Sequence, residues 1–427
     1  MYNLTDKIKQ LIKTGFFHIF GSSVINKIVA FLSNVVLVRI LSKSEYGIFT
    51  YSWNIYSILL LLNGLGIESG VLQVCSEWGN DKEKIRKNLN LGVKIGTKFD
   101  ILLGIIIFEI GCLVNFKIKG ADTLLKLMCL LPMIQFLYAL ISSVLRAEKR
   151  NKEYSELTMF NTMMIFICAS IGALVFRERG MIFGYYIAYS SSVIMAMFKM
   201  KIKIFQKCEP SNLEEKRTLL SISVVSMCNN GLSQLMYLLD VFVLGVVAAN
   251  ENILASYKVA TTIPAALSFI PVSIITYIYP YFAEHRKDGK WCLERYKQVL
   301  KGVAMMNFLI STILFVLAPF IIHIMYGKEY LDAVPVFRIL SMNYFFSGTF
   351  RVISGNLLVT QRKLKFNLFV ALVSGIINAL SDFYFIQWWG SIGAAVATIL
   401  VVFVSGVMST IYLIITFKKI VNPVENP

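Results

Sequence analysis

The feature that most restricts this chain is a set of apolar runs of roughly 20 residues, each long enough to cross a hydrocarbon layer of about 30 Å. In hydrocarbon a backbone must satisfy its own hydrogen bonds, so runs of this kind are helices. Composition agrees, with 56% of the 427 residues apolar and 16% charged, where soluble domains run at about half and a quarter. The pattern predicts helices near 16–40, 46–74, 92–114, 124–145, 154–175, 180–200, 218–248, 257–282, 298–324, 333–358, 366–386 and 391–417. The expected fold class is therefore an all-α integral membrane protein with 12 transmembrane helices. The first run, after Lys13, is interrupted by Lys27 and lacks a small-residue cleavage site. It reads as a helix of the mature chain and not as a signal peptide.

The formal charge is +17, and its placement decides what it means. Taken alternately along the chain, one set of inter-helix segments carries 28 lysines and arginines and the other set eight. That asymmetry marks the richer side as cytoplasmic, which puts both termini and the segment 201–217 in the cytoplasm. The basic balance is then mostly topology, with anionic membrane lipids as partners and no nucleic acid. The seven cysteines form no C-x-x-C pair and no metal-ligand spacing. Most fall in apolar runs, where cysteine acts as a small hydrophobe. No metal site and no cofactor is expected.

The chain also repeats itself. "ISSVLRAEKRNKEYS" from Ile141 and "ISGNLLVTQRKLKFN" from Ile353 share a basic hinge at a shift of 212. "YGIFT" from Tyr46 faces "YKVAT" from Tyr257 at 211, "GMIFG" from Gly180 faces "GSIG" from Gly390 at 210, and "NVVLV" from Asn34 faces "DVFVL" from Asp240. Several weak matches near one shift indicate an internal duplication. An even number of crossings per half makes the repeats parallel. Residues 1–200 would form one six-helix lobe, 201–217 a cytoplasmic linker and 218–427 the second lobe. Parallel repeats about an axis along the membrane normal leave a central cavity.

Polar groups on a spanning helix should face protein or water. Ser23, Lys27 and Asn34 share one side of the first helix, with Ser22, Asn26 and Ser33 beside them. Ser226, Asn230, Ser233, Tyr237 and Asp240 repeat the pattern on the seventh. Such stripes line a wet passage or bond across packed helices. Lys27 lies some 16 Å into its span at 1.5 Å per residue, too deep for easy snorkelling. It reads as an anion-binding group on a translocation path, or as one partner of a buried ion pair with Asp100 or Asp240. Arg351 is similar. Asp100 and Glu109 are candidate coupling residues, with Lys94 or Lys98 as alternative partners for Asp100. His18 and His323, near opposite interfaces, could titrate near neutrality. Arg338 and Lys258 read as snorkelling residues and Asp382 as a solvated group near the outer surface. Pro264 and Pro271 interrupt the eighth helix, while Pro132 and Pro319 fall inside the fourth and ninth, where each permits a kink.

No phosphate-binding loop, zinc-protease helix, nucleophile elbow or large extramembrane domain is present in the sequence, so an enzyme is not expected. The stretches "FLSNVVLVRILSKSEYGIFTYSWNIYSILLLLNGLGIESGVL" from Phe31, "LDVFVLGVVAANENILASYKVA" from Leu239 and "GIINALSDFYFIQWWGSIGAAVATIL" from Gly375 resemble bacterial polysaccharide flippases. These belong to the multidrug, oligosaccharidyl-lipid and polysaccharide exporter superfamily. The resemblance implies a MATE-like fold of two six-helix lobes around a central cleft. It implies movement of an undecaprenyl-diphosphate-linked oligosaccharide from the inner to the outer leaflet of the bacterial cell membrane, for O-antigen, capsule or exopolysaccharide assembly. The polymerase and glycosyltransferases of that pathway would be its partners. Lys27 and Arg351 fit the cationic cleft such proteins carry. The alternative is a cation-coupled exporter of small amphipathic compounds, against which the first helix offers Lys27 and no carboxylate.

Overall fold

The computed structural model describes residues 16–77, 82–202 and 212–421. The amino-terminal lysines and most of the expected linker 201–217 lie outside them, as do the side chains of His18, Ser233 and Tyr237. Among the described residues there are helices and no strands. The chain falls into two compact units, Met1–Leu238 and Leu239–Pro427.

The first unit holds α1 (Phe16–Ile40), α2 (Lys43–Leu59), α3 (Ile67–Glu77), α4 (Lys82–Leu113), α5 (Ala121–Leu127), α6 (Leu131–Ala147) and α7 (Asn151–Phe198), together with most of α8 (Leu213–Val247). A 3₁₀ segment, Leu60–Gly66, joins α2 to α3 and leaves helical geometry at Asn63, Gly64 and Leu65. Helix α1 packs along α7, and α6 packs on α4 and α7. Ile67, Val71, Phe136, Leu140 and Leu157 are at the centre of the core. The second unit continues with α9 (Glu251–Leu267), α10 (Phe269–Glu284), α11 (Gly289–Val316), α12 (Ala318–Tyr326), α13 (Val334–Phe346), α14 (Val352–Thr360) and α15 (Leu364–Val421). A π-helical turn, Ser347–Arg351, links α13 to α14. Phe282, Tyr296, Ile353, Leu357 and Phe417 form its core. Leu368, Leu372, Ile376, Leu380 and Phe383 step along α15 at helical spacing and are all exposed, as a lipid-facing stripe must be.

Every one of the twelve expected segments is helical. Six helical stretches pass length and hydropathy limits for a membrane span, and α5 with α6, bent by 50°, makes a seventh. Two of the six, at 48 and 58 residues, are each broken once: α7 at Phe176–Arg177 and α15 at Gly390. Beyond each break the chain lies against what preceded it. Gly172 touches the backbone of Gly180, Gly184 lies on Cys168 and Ala169, and Gly393 lies on Phe385 and Ile386. Each is thus a helical hairpin holding two expected spans. The segments that fall short on hydropathy carry the charges: α4 has Lys94, Lys98, Asp100 and Glu109, and α13–α14 has Arg338 and Arg351.

The breaks fix the register of the duplication. Arg177 (φ +55°, ψ −138°) and Gly390 (φ +54°, ψ −129°) share one backbone conformation, rarely adopted by anything but glycine. They are 213 residues apart. Lys149 and Arg362 are likewise both left-handed, at φ +56° and +57°. Each closes its helix with the same hydrogen-bond pair, Lys149 N to Arg146 O with Arg150 N to Leu145 O, and Arg362 N to Val359 O with Lys363 N to Leu358 O. The basic hinge therefore aligns one residue away from its best sequence match. The counterpart of Gly180 is Gly393, not Gly390. Sequence identity had favoured Gly390 because both hairpin turns are glycine-rich, whereas backbone geometry separates the turn residue from the packing residue.

The prolines also sit differently from the expectation of interior kinks. Pro132 and Pro319 fall in the first turns of α6 and α12, where a missing N–H costs nothing because no intrahelical acceptor exists for it. Pro271 likewise falls in the first turn of α10, and of the four only Pro264 lies inside a helix, α9.

Candidate functional site

The two stripes of small polar residues divide by environment. On α1, Ser22 and Ser33 are buried, Asn26 and Asn34 half-buried, and Ser23 and Lys27 exposed. On α8, Ser226 and Asp240 are half-buried and Asn230 is exposed. Glu109 is exposed among the apolar Ile105, Ile106 and Phe108. Asp100 is 1% exposed. One of its oxygens accepts the Gly64 N–H at 2.8 Å, and the other is buried without a hydrogen-bond partner. The carboxylate thus pins the irregular turn between α2 and α3 and forms no ion pair with Lys94 or Lys98. Arg351 is half-buried at the end of the π-helical turn. That turn is held from α11 by Asn307, whose amide donates to Thr349 at 3.2 Å and whose oxygen accepts from Tyr344 at 3.1 Å. Single π turns inside helices recur at functional positions.

The repeat pairs recognised in the sequence make the same contact in both units. Asn34 Nδ2 donates to the Tyr46 hydroxyl at 2.9 Å. At the matching place, the Tyr257 hydroxyl donates to Asp240 Oδ2 at 3.0 Å. The first unit thus has an amide where the second has a carboxylate.

Around Asp240 the second unit gathers more oxygen. Thr398 Oγ1 lies 2.7 Å from Asp240 Oδ2 and 2.9 Å from the Ala394 carbonyl, and its one proton can be donated to either. Asn378 Nδ2 lies 3.3 Å from Asp240 Oδ1 and 3.1 Å from Asp382 Oδ2. Asp382 is 0% exposed, which corrects the expectation of a solvated group near the surface. The sequence placed it by distance from the end of its span, but the α15 hairpin folds Asn378, Asp382 and Thr398 onto α8. Asp382 Oδ1 and Asn378 Oδ1 are both buried with no hydrogen-bond partner. Tyr257, Thr398 and Asn378 together can stabilise one negative charge. A second, equally desolvated, would cost several kcal/mol without compensation. The cluster therefore suits a shared proton or a small hard cation held by carboxylate, amide, hydroxyl and carbonyl oxygens. Among the described residues no three His, Cys, Asp or Glu side chains gather as a metal site. The sequence reading missed this group, although Asn378 and Asp382 are spaced i, i+4 and so share a helix face.

Comparison with known proteins places this architecture. Residues 36–335 match a family described as polysaccharide biosynthesis protein. An uncharacterized membrane protein in the cps region of Klebsiella pneumoniae is 20% identical over 402 residues, covering 91% of this chain and 79% of its own. An inward-facing multidrug resistance MATE family transporter of the MOP superfamily matches with a TM-score of 0.72 at 11% identity, over 94% of this chain and 96% of its own. Lipid II flippase MurJ in an inward closed conformation matches with a TM-score of 0.72 at 16% identity, over 93% and 88%. At such identities the two solved structures speak for the fold, and the sequence match speaks for kinship. The chain is a multi-pass membrane protein with the MATE-like fold, and it belongs to the polysaccharide biosynthesis protein family.

Proposed function

We propose that this protein is a flippase moving an undecaprenyl-diphosphate-linked oligosaccharide from the cytoplasmic to the outer leaflet by alternating access of two six-helix lobes. The observation that carries this reading is the family match across residues 36–335. In it, Lys27 and Arg351 offset the desolvation of the diphosphate, and the polar residues of α1 and α8 replace water around the sugar. Outward movement of two negative charges against a negative cytoplasm is favourable by roughly 4–5 kcal/mol per 100 mV, so no chemical step is required. The Asp240–Asp382 cluster, in preference to Asp100 or Glu109, is the place where a proton or cation would couple to the movement. It joins a half-buried carboxylate, Asp240, to a fully buried one, Asp382, beside two unfilled acceptor oxygens, Asp382 Oδ1 and Asn378 Oδ1, whereas among the described residues neither Asp100 nor Glu109 shares a hydrogen-bond donor with a second carboxylate. The test is reconstitution of the full chain into vesicles carrying a fluorescent polyprenyl-diphosphate oligosaccharide on one leaflet. Transfer to the opposite leaflet, faster with an inside-negative potential, is expected. Transport of small organic cations without any lipid transfer would overturn the reading in favour of an amphiphile exporter.

A further inference from the structure

The duplicated hinge is electrically balanced in one unit and unbalanced in the other. In the first unit Arg150 pairs with Glu148 at 3.0 Å and with Glu153, and also donates to the Met200 carbonyl at 2.7 Å. At the shift of 213 set by the backbone, Lys363 stands in for Arg150, Gln361 for Glu148 and Phe366 for Glu153. The second copy keeps the cation and has lost both acids. Instead it borders a cavity of about 530 Å³ within the second unit. Arg286, Lys287, Arg362, Lys363 and Lys419 line it, and among the described residues none of the five makes an ion pair with an acidic side chain. Gln361 also lines it. Its side chain is 9% exposed, and its amide nitrogen is buried with nothing to donate to.

Five cations and an unused buried donor call for an anion with several acceptor oxygens. The rest of the lining says what carries that anion. Ile415 and Ile420 come from the last turns of α15, and Tyr412 is stacked on Phe366 at 3.7 Å. Ile415 is exposed on the outside of a helix of high hydropathy. The cavity thus opens where a membrane helix leaves the bilayer, beside a face made for acyl chains. Gly289 holds it together: a side chain there would strike the Phe417 carbonyl at 2.6 Å and the Val421 nitrogen at 2.8 Å. Its absence lets the 286–289 turn close on the end of α15.

We propose that this cavity is a binding site for the phosphate headgroup of an anionic membrane lipid. The lipid bridges the α10–α11 turn, the α14–α15 hinge and the end of α15, doing from outside what Glu148 and Glu153 do within the first unit. Basic loops assign this end of the unit to the cytoplasmic leaflet, where anionic headgroups reward juxtamembrane lysines and arginines. The site is independent of what the protein transports.

Native mass spectrometry of the full chain in detergent, titrated with phosphatidylglycerol, phosphatidylcholine or inorganic phosphate, tests it. Phosphatidylglycerol is expected to bind at least about five-fold more tightly than phosphatidylcholine. Arg362→Gln with Lys363→Gln should weaken it roughly 25-fold, at about five-fold per charge near the surface. Removing two charges from the hinge of the first unit, with Lys149→Gln and Lys152→Gln so that the Arg150 ion pairs stay intact, should change it less than two-fold. Gln361→Leu alters no charge and should weaken binding about five-fold with the thermal midpoint kept within a few degrees. Equal loss in both double variants, or no preference for the anionic lipid, overturns the proposal. Inorganic phosphate binding as tightly as the lipid overturns the lipid assignment in favour of a soluble anion.

Discussion

Replacing Asn307 with leucine tests how the second unit presents Arg351. Asn307 is 0% exposed and serves two buried hydroxyls, accepting from Tyr344 and donating to Thr349 inside the π-helical turn. Leucine is close in size, so the packing change is small, and the loss is in hydrogen bonding. A buried group left without its partner costs about 1–3 kcal/mol. Tyr344 bears that cost in full, while Thr349 can turn back to a carbonyl one helical turn earlier, so its share is at the low end. The expected destabilisation is about 2–4 kcal/mol, or roughly 4–15 °C in thermal midpoint for a unit of 150–250 residues. Tyr344→Phe should cost about 1–2 kcal/mol, and the double variant should cost less than the two singles combined by about 1 kcal/mol, because they share a bond. Midpoints from intrinsic fluorescence in detergent give these values, and hydrogen exchange over residues 345–353 should accelerate in Asn307→Leu. A shift below 1 °C, or strict additivity with Tyr344→Phe, would show that Asn307 does not hold the turn.

Lys27→Ala should abolish surface polysaccharide in a strain dependent on this protein while Lys27→Arg retains it; equal output from both removes Lys27 from the path. Asp382→Asn should erase any rise in thermal midpoint that the parent shows when sodium replaces a bulky organic cation, worth about 2.7 kcal/mol at 100 times the dissociation constant; an identical rise in the variant means that the cluster holds no ion. Arg177 pairs with Glu45 at 2.9 Å while occupying a glycine-like conformation. Arg177→Ala loses the pair and keeps the strain, Arg177→Gly loses both, so the glycine variant should melt higher; the reverse order refutes the strain. Lys87, hydrogen-bonded to Glu215 at 3.0 Å, holds that carboxyl below its ordinary range. The pair therefore contributes above the unfolded value near 4.3 and fades as pH falls through the lower folded value. Glu215→Gln should cost under about 1 kcal/mol at pH 7, since the pair is solvent-screened, and the difference from the parent should close below about pH 4.

Hydropathy made the helices legible because a span must be predominantly apolar, and even the charged segments α4 and α13–α14 keep enough apolar residues to stand out as runs. It could not show that spans five and six, or eleven and twelve, turn on one or two residues. The conformation at Arg177 leaves no trace in composition, and only Gly390 advertises its break. The duplication was visible in the pairs Asn34–Asp240 and Tyr46–Tyr257, whose mutual contact both units preserve. Its true register was not, since identity in a basic hinge is cheap and backbone geometry is not. Asp382 was misplaced for a similar reason. Depth along one helix says nothing of which neighbour covers it, and the covering residues Thr398 and Asp240 come from 16 residues ahead and 142 behind.

The first copy of the duplicated helix pair carries Asn34 and the second Asp240, side chains of equal shape that differ by one amino group against one oxygen. In the genetic code they are separated by a single base, A to G at the first codon position. A fused ancestor with two like halves would thus gain a carboxylate at one copy of this contact, and a net charge on one half alone, through one point change. By the same step, Asn34→Asp would set a carboxylate beside Tyr46, but without a second acid, because Ala169 stands where the second unit has Asp382.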